Sequence, residues 1–212
     1  MVSRPASEYR AQRPDESMAF DAAMTAMSAI VARSPLSEYD FGRFHEVADI
    51  GAGQGGLLAA ILIRWPDLHG VAFDQPHVVA GASELLEAAG VASRCRVESG
   101  SFFEAVPSDC DAYVLKHIIH DWPDDQAAEI LRVCRRDMPA TATLLLLERV
   151  IEGRNHARDA AFADLNMLVN TGGRERTKAE FVTLLASAGF RLSRVVPIPS
   201  DTSLIEAVPV DG

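Results

Sequence analysis

Cysteine is scarce in this sequence: three in 212 residues, Cys95, Cys110 and Cys134. An odd number without a C-x-x-C spacing argues against a disulfide framework or a zinc site, and fits a reducing cytoplasm. Positive charge is also short, with 20 Lys and Arg against 30 Asp and Glu, a net −10. Nucleic acid and anionic membranes demand a basic face, so neither is an expected partner. Long apolar runs are lacking. Leu57–Ile63 and Leu144–Leu147 fall far short of the ~20 residues of a spanning helix. Residues 1–15 are polar without an apolar centre, so no secretory signal is expected. There is no repeat and no low-complexity stretch. What is there is a chain long enough for one domain with a substantial core, 48% hydrophobic, suited to a small-molecule or protein partner.

Taken in order, residues 1–16 read as a flexible tail and 17–210 as one domain. Phe20, Met24, Met27 and Val31 fall at helical spacing over 17–33. Strands and helices then alternate. Strands are expected at 46–50, 69–73, 95–98, 112–115 and 143–150. Helices are expected at 55–64, 78–89, 123–136 and 158–169. Thr177-Lys178-Ala179-Glu180 reads as a capping box opening a last helix that stops at Gly189. Two late strands, 191–197 and 203–208, are close enough to pair. The alternation predicts an α/β fold: a mostly parallel sheet with one antiparallel strand near the C-terminus and helices on both faces.

In such sheets ligands sit outside the carboxyl ends of the strands. After the first strand runs Asp49-Ile50-Gly51-Ala52-Gly53-Gln54-Gly55-Gly56. Gly51, Gly53 and Gly56 match G-x-G-x-x-G, which lets a backbone approach a nucleotide ahead of a helix N-terminus. Dinucleotide oxidoreductases share that spacing. Asp49 is placed to hold a cationic amino acid end, and Asp74, closing the second strand, suits the hydroxyls of a ribose. After the fourth strand comes Lys116-His117-Ile118-Ile119-His120-Asp121-Trp122. A lone histidine is usually structural. His120 lies at the expected mouth, and a neutral imidazole there accepts a proton at cellular pH. Glu148 ends the fifth strand.

Leu115 to Trp122, Gly51 to Gly56, Phe73-Asp74-Gln75-Pro76-His77 and Gly172-Gly173-Arg174-Glu175-Arg176-Thr177 resemble the caffeate/hydroxyindole-type O-methyltransferases, whose bacterial members act on aromatic natural products. The resemblance runs from about Phe20 to Pro209. It implies a Rossmann-like class I methyltransferase fold using S-adenosylmethionine, yielding S-adenosylhomocysteine, with no metal. It implies that His120 deprotonates a phenolic hydroxyl while Glu148 and Glu175 hold its ring. It adds Ser101, Phe102, Lys116 and Trp122 to Asp49, Gly51, Gly53 and Asp74 as cofactor-facing residues. Phe20, Met24, Met167 and Asn170 are the expected walls for a small aromatic acceptor.

Two departures from the family pattern bear on function. Ser101 stands where the family carries an aspartate toward the adenine, which weakens that contact. The family's N-terminal dimerisation domain has no counterpart before the 17–33 helix. The expectation is a protein partner or self-association in its place. Two rival readings follow: a cofactor-binding relative doing hydroxylation, decarboxylation or pericyclic chemistry, and a catalytically silent subunit. A nicotinamide dehydrogenase is disfavoured by Asp49 and the His-Asp-Trp motif.

Overall fold

The computed structural model describes residues 38–151, 173–198 and 202–210. The expected tail and the helices at 17–33 and 158–169 lie outside the described residues, as do Phe20, Met24, Met167 and Asn170.

The main sheet has seven strands in the order β3-β2-β1-β4-β5-β9-β8. They are β1 (Glu46–Ile50), β2 (His69–Asp74), β3 (Cys95–Ser99), β4 (Ala112–Lys116), β5 (Thr143–Glu148), β8 (Phe190–Ile198) and β9 (Thr202–Pro209). β1 to β5 run parallel. β9 is antiparallel to both neighbours, slotted between β5 and β8. The late pair does form, and it supplies the one reversed strand, as its short connection requires.

Between the strands lie α1 (Gly56–Arg64), α2 (Pro76–Val79), α3 (Ala82–Ala88), α4 (Asp124–Asp137) and α5 (Lys178–Ser187). Strand side chains alternate between two faces, and the core divides accordingly. Tyr113, Leu115, Leu144 and Leu146 pack with Ile130, Leu131 and Cys134 of α4 and Phe181 and Leu185 of α5. Ala112, Val114, Leu145 and Leu147 pack with Leu58, Ile61 and Leu62 of α1 and Leu86 of α3. Both faces of β5 are thus buried, which is why its sequence is a continuous apolar run rather than an alternation. Burying one such leucine contributes about 1.5–3 kcal/mol. A charge at Leu145, which is fully buried, would break the sheet's centre.

The helix ends follow local chemistry. Pro123 caps α4, with Asp124 and Asp125 in its first turn and Arg135 and Arg136 in its last, matching the helix dipole. At α5 the capping box is complete, Thr177 Oγ1 accepting from Glu180 N and Glu180 Oε2 accepting from Thr177 N.

Two elements differ from expectation. The helix expected over 78–89 is two pieces, α2 and α3, parted at Ala80 and Gly81; glycine costs a helix interior ~1 kcal/mol against alanine. The strand expected over 143–150 stops at Glu148. A separate strand β6 (Val150–Ile151) pairs instead with β7 (Arg176–Thr177) in a small second sheet.

Candidate active site

The carboxyl ends of β1, β2, β4 and β5 present Asp49, Asp74, Lys116 and Glu148 along one edge. The glycine turn follows β1. Gly51, Gly53 and Gly55 have φ of 76°, 59° and 80°, which side chains disfavour. Gly55, rather than Gly56, is the left-handed residue at the helix entry. A Cβ on Gly53 would meet nothing within 4 Å, so that backbone faces open space. A Cβ on Gly51 would strike the Ile118 side chain at 2.4 Å. The glycine turn therefore packs directly on the segment leading to His120.

Asp74 bridges the strand ends. Its Oδ2 accepts from Gly53 N at 2.8 Å and its Oδ1 from Gln75 N at 2.6 Å. Asp49 is buried at 2% exposure, and its Oδ2 has no hydrogen-bond partner among the described residues. Burial pushes its pKa up to about 7, with Lys116 opposing and Asp74 adding to the rise. Burial likewise lowers Lys116, against the pull of Asp49. A buried carboxylate oxygen lacking a donor is a position waiting for a cationic or hydrogen-bond-donating ligand. Beyond β3, Ser101 Oγ accepts from Phe103 N at 3.3 Å. Phe102 and Phe103 each meet Trp122 edge to face, Phe103 at 4.8 Å and 84°, and lie tilted against each other.

His120 sits in a short turn of 3-10 helix, Ile119–Asp121. Its Nδ1 lies 3.5 Å from Glu148 Oε2 and 3.5 Å from Glu175 Oε1. Its Nε2 lies 3.6 Å from Asp121 Oδ1. These are ion-pair distances, longer than a well-formed hydrogen bond. Glu148 is fully buried and Glu175 nearly so. Burial disfavours the charged ring, but the carboxylates of Glu175, Glu148 and Asp121 outweigh it and hold His120 at about 9. Burial raises Glu148 as well, although His120 and the Ile119 N–H pull it down.

Glu175 stands in the Gly173-to-Thr177 segment between two arginines. Both arginines find other partners, Arg174 with Asp124 and Glu180, Arg176 with Asp124. Glu175 is left to turn toward the imidazole. Sequence reasoning passed over His117 and Arg176. His117 is the one non-glycine residue with positive φ among those described, at 55°, and its ring stacks on His120 at 5.3 Å. Burial, with the charges of His120, Lys116 and Arg149, lowers it to about 4, so it stays neutral. No local pattern marks that turn. Donor atoms of His117, His120 and Glu148 lie within 4.8 Å of one another, but two carboxylates facing Nδ1 suit the ring's own proton equally well.

A nucleotide-binding α/β domain with a carboxylate-flanked histidine at its mouth is the class that this fold and site define. The O-methyltransferase domain family matches residues 2–191. The chain belongs to that family. It is 45% identical over 202 residues to a phenazine O-methyltransferase of Lysobacter antibioticus, covering 95% of this chain and 59% of that protein. It is 35% identical over 225 residues to an aclacinomycin 10-hydroxylase of Streptomyces purpurascens, covering 99% of this chain and 60% of that protein. An O-methyltransferase from neocarzinostatin biosynthesis, solved with S-adenosylmethionine and 2-hydroxy-5-methyl naphthoic acid, superposes with a TM-score of 0.87 at 32% identity. That match covers 98% of this chain and 62% of the other. The chain thus spans about three fifths of the length of these relatives. The sheet and its flanking helices are those of the class I methyltransferases.

Proposed function

We propose that this chain transfers a methyl group from S-adenosylmethionine to a hydroxyl, preferentially phenolic, of a small aromatic molecule, with His120 as general base. The observation that carries the reading is the single imidazole nitrogen faced by two buried carboxylates. That arrangement favours an imidazolium, the species the ring becomes on taking a proton. On the ring's other side Nε2, 3.6 Å from Asp121 Oδ1, is the nitrogen that would take the acceptor's proton.

The residues present fit the cofactor. Asp49 Oδ2, buried and unpartnered, suits its ammonium group. Asp74 suits the ribose hydroxyls, Gly51 and Gly53 give close backbone approach, and Lys116, Ser101, Phe102 and Trp122 complete the set. When bound, S-adenosylmethionine supplies a methyl on a positively charged sulfur, a strong electrophile. The chain's own tasks are then to strip the acceptor's proton and to hold the oxygen in line. A phenol has pKa ~10, so almost none is ionised at neutral pH. In its neutral form, His120, held at about 9, is a strong enough base for it, and a positioned base contributes ~10²–10⁴-fold. Glu148 and Glu175 face the ring and stabilise its charge.

The test is incubation with methyl-labelled S-adenosylmethionine and a panel of phenols. Label should pass to a phenol, and His120→Ala should lower the rate by at least ~10² while leaving S-adenosylhomocysteine affinity unchanged. More than a tenth of the rate surviving in the variant would remove His120 from this role.

The aclacinomycin 10-hydroxylase relative supports a second reading, a cofactor-binding enzyme that does not methylate. Cofactor binding without label transfer to any phenol would favour it. A silent subunit would do neither. No described helix is long and apolar enough to cross a membrane, and all three cysteines are free thiols. A protein partner or self-association belongs to the same proposal. Light scattering, with turnover measured alone and with candidate partners, reads it out. A monomer turning over at ~1 s⁻¹ or faster would dismiss it.

A further inference from the structure

Arg176 is 1% exposed. A guanidinium stays charged at any pH the protein meets, so burying it demands partners for its five N–H groups. All five have one. Nε donates to Asp124 Oδ1 at 2.9 Å. Nη1 donates to Ile119 O at 2.9 Å and to Arg174 O at 3.3 Å. Nη2 donates to Trp122 O at 2.8 Å and reaches Asp124 Oδ1 at 2.8 Å.

The acceptors are not scattered. Ile119 and Trp122 flank His120 and Asp121 on either side. One residue before Glu175, Arg174 N donates to His120 O at 2.9 Å. Two residues before, a Cβ on Gly173 would fall 1.9 Å from His120 O, so the two backbones touch there. Arg176 is also a strand residue, paired with Val150 two positions beyond Glu148. The three segments that carry His120, Glu148 and Glu175 therefore meet at this one residue, the His120 segment at its side chain and the Glu148 segment at its backbone. The imidazole, by contrast, is not pinned by its own nitrogens, since Nδ1 stands 3.5 Å from each carboxylate. Its place is set by the backbone on both sides.

We propose that Arg176 is a positioning residue, which clamps the carbonyls on either side of His120 and so keeps the imidazole between Glu148 and Glu175. Its consequence for rate rests on the methyl-transfer reading; its consequence for the ring does not. Lysine cannot replace it, because an ammonium has three donors and no planar fork to hold carbonyls from two directions.

The experiment uses the full chain with Arg176→Lys and Arg176→Gln. Thermal unfolding checks the fold. NMR titration of the His120 ring follows its proton directly, and steady-state kinetics with a phenol acceptor follow the rate. In the wild type His120 should titrate well above the ordinary ~6.5. In a folded variant the titration should move down toward that value as the carboxylates lose register with the ring. The kcat should fall ~10–100-fold, as for lost supporting groups elsewhere, with the acceptor KM changing far less. A folded Lys variant with an unmoved titration and wild-type kcat would overturn the proposal. Failure of both variants to fold would overturn it too, assigning Arg176 to the fold alone. A wild type without methyl transfer to any phenol would sink the methyl-transfer reading only, since the titration still reports on Arg176.

Discussion

Glu148 holds His120 in two ways at once. Its Oε2 faces His120 Nδ1 at 3.5 Å. Its Oε1 accepts from Ile118 N at 3.1 Å and Ile119 N at 2.8 Å, the two residues that lead into His120. One carboxylate thus carries both the ring's charge partner and the backbone that delivers the ring.

Those two roles separate by substitution. Glu148→Gln keeps an oxygen for the two N–H groups and loses the charge. It should lower kcat, move the His120 titration downward and leave thermal stability near wild type. Glu148→Ala strands the buried Ile119 N–H, at about 1–3 kcal/mol, and the part-buried Ile118 N–H. It should melt well below the Gln variant. Equal melting temperatures for the pair would show that the backbone contacts carry no weight.

The pH dependence has a definite sign. With His120 held at about 9, the ring of the free enzyme is mostly protonated at neutral pH and accepts no proton. Activity as kcat/KM, which reports the free enzyme, should therefore climb from pH 7 to about 9. Stability runs the other way. The raised pKa stabilises the fold fully below the unfolded value of ~6.5, and that contribution is lost as pH rises through about 9. A kcat/KM already flat at pH 6.5 would contradict this protonation state.

Asp49 should show a trade between folding and binding. Its folded pKa, about 7, lies above the ordinary aspartate value of ~3.9. The cost of ionising it in the fold builds from the unfolded ~3.9 up to about 7 and is constant above that. Asp49→Asn should thus raise the melting temperature at pH 8, hardly change it at pH 4, and weaken S-adenosylmethionine binding in calorimetry. A variant no more stable at pH 8, or one of unchanged affinity, would count against the site.

Asp74→Ala removes the acceptor for Gly53 N and Gln75 N along with the proposed ribose contact. Charged hydrogen bonds contribute about 1.5–3 kcal/mol each, so cofactor affinity should fall ten-fold or more. Ser101→Asp should tighten binding, since a carboxylate keeps the local contact with Phe103 N and adds a charged acceptor. A weaker complex would mean that adenine lies elsewhere.

How much was legible is best judged element by element. β1 begins and ends where its apolar run and the following glycines put it. The capping box at Thr177 was readable because its two partners are three residues apart. The break between α2 and α3 was not, because an isolated glycine such as Gly81 is tolerated within many helices and does not by itself mark an end. The split of β5 from β6 was hidden as well: Val150 leaves the main sheet to pair with Arg176, a residue no local window contains. The motifs named His120, Glu148 and Glu175, yet no spacing said that the flanking arginines would pair elsewhere and leave Glu175 facing the ring.

By itself the sequence determined the order of strands and helices, the strand ends where chemistry could sit, and the residue types suited to it. These are set by side-chain periodicity and by glycine, proline and capping chemistry, which act over a few residues. Only the tertiary structure decided that Glu148 carries the His120 turn from 29 residues away, and that Arg176 clamps it from 57. A buried carboxylate or guanidinium must find partners wherever the folded chain supplies them, and which carbonyls and amides those are is settled only when the sheet has closed.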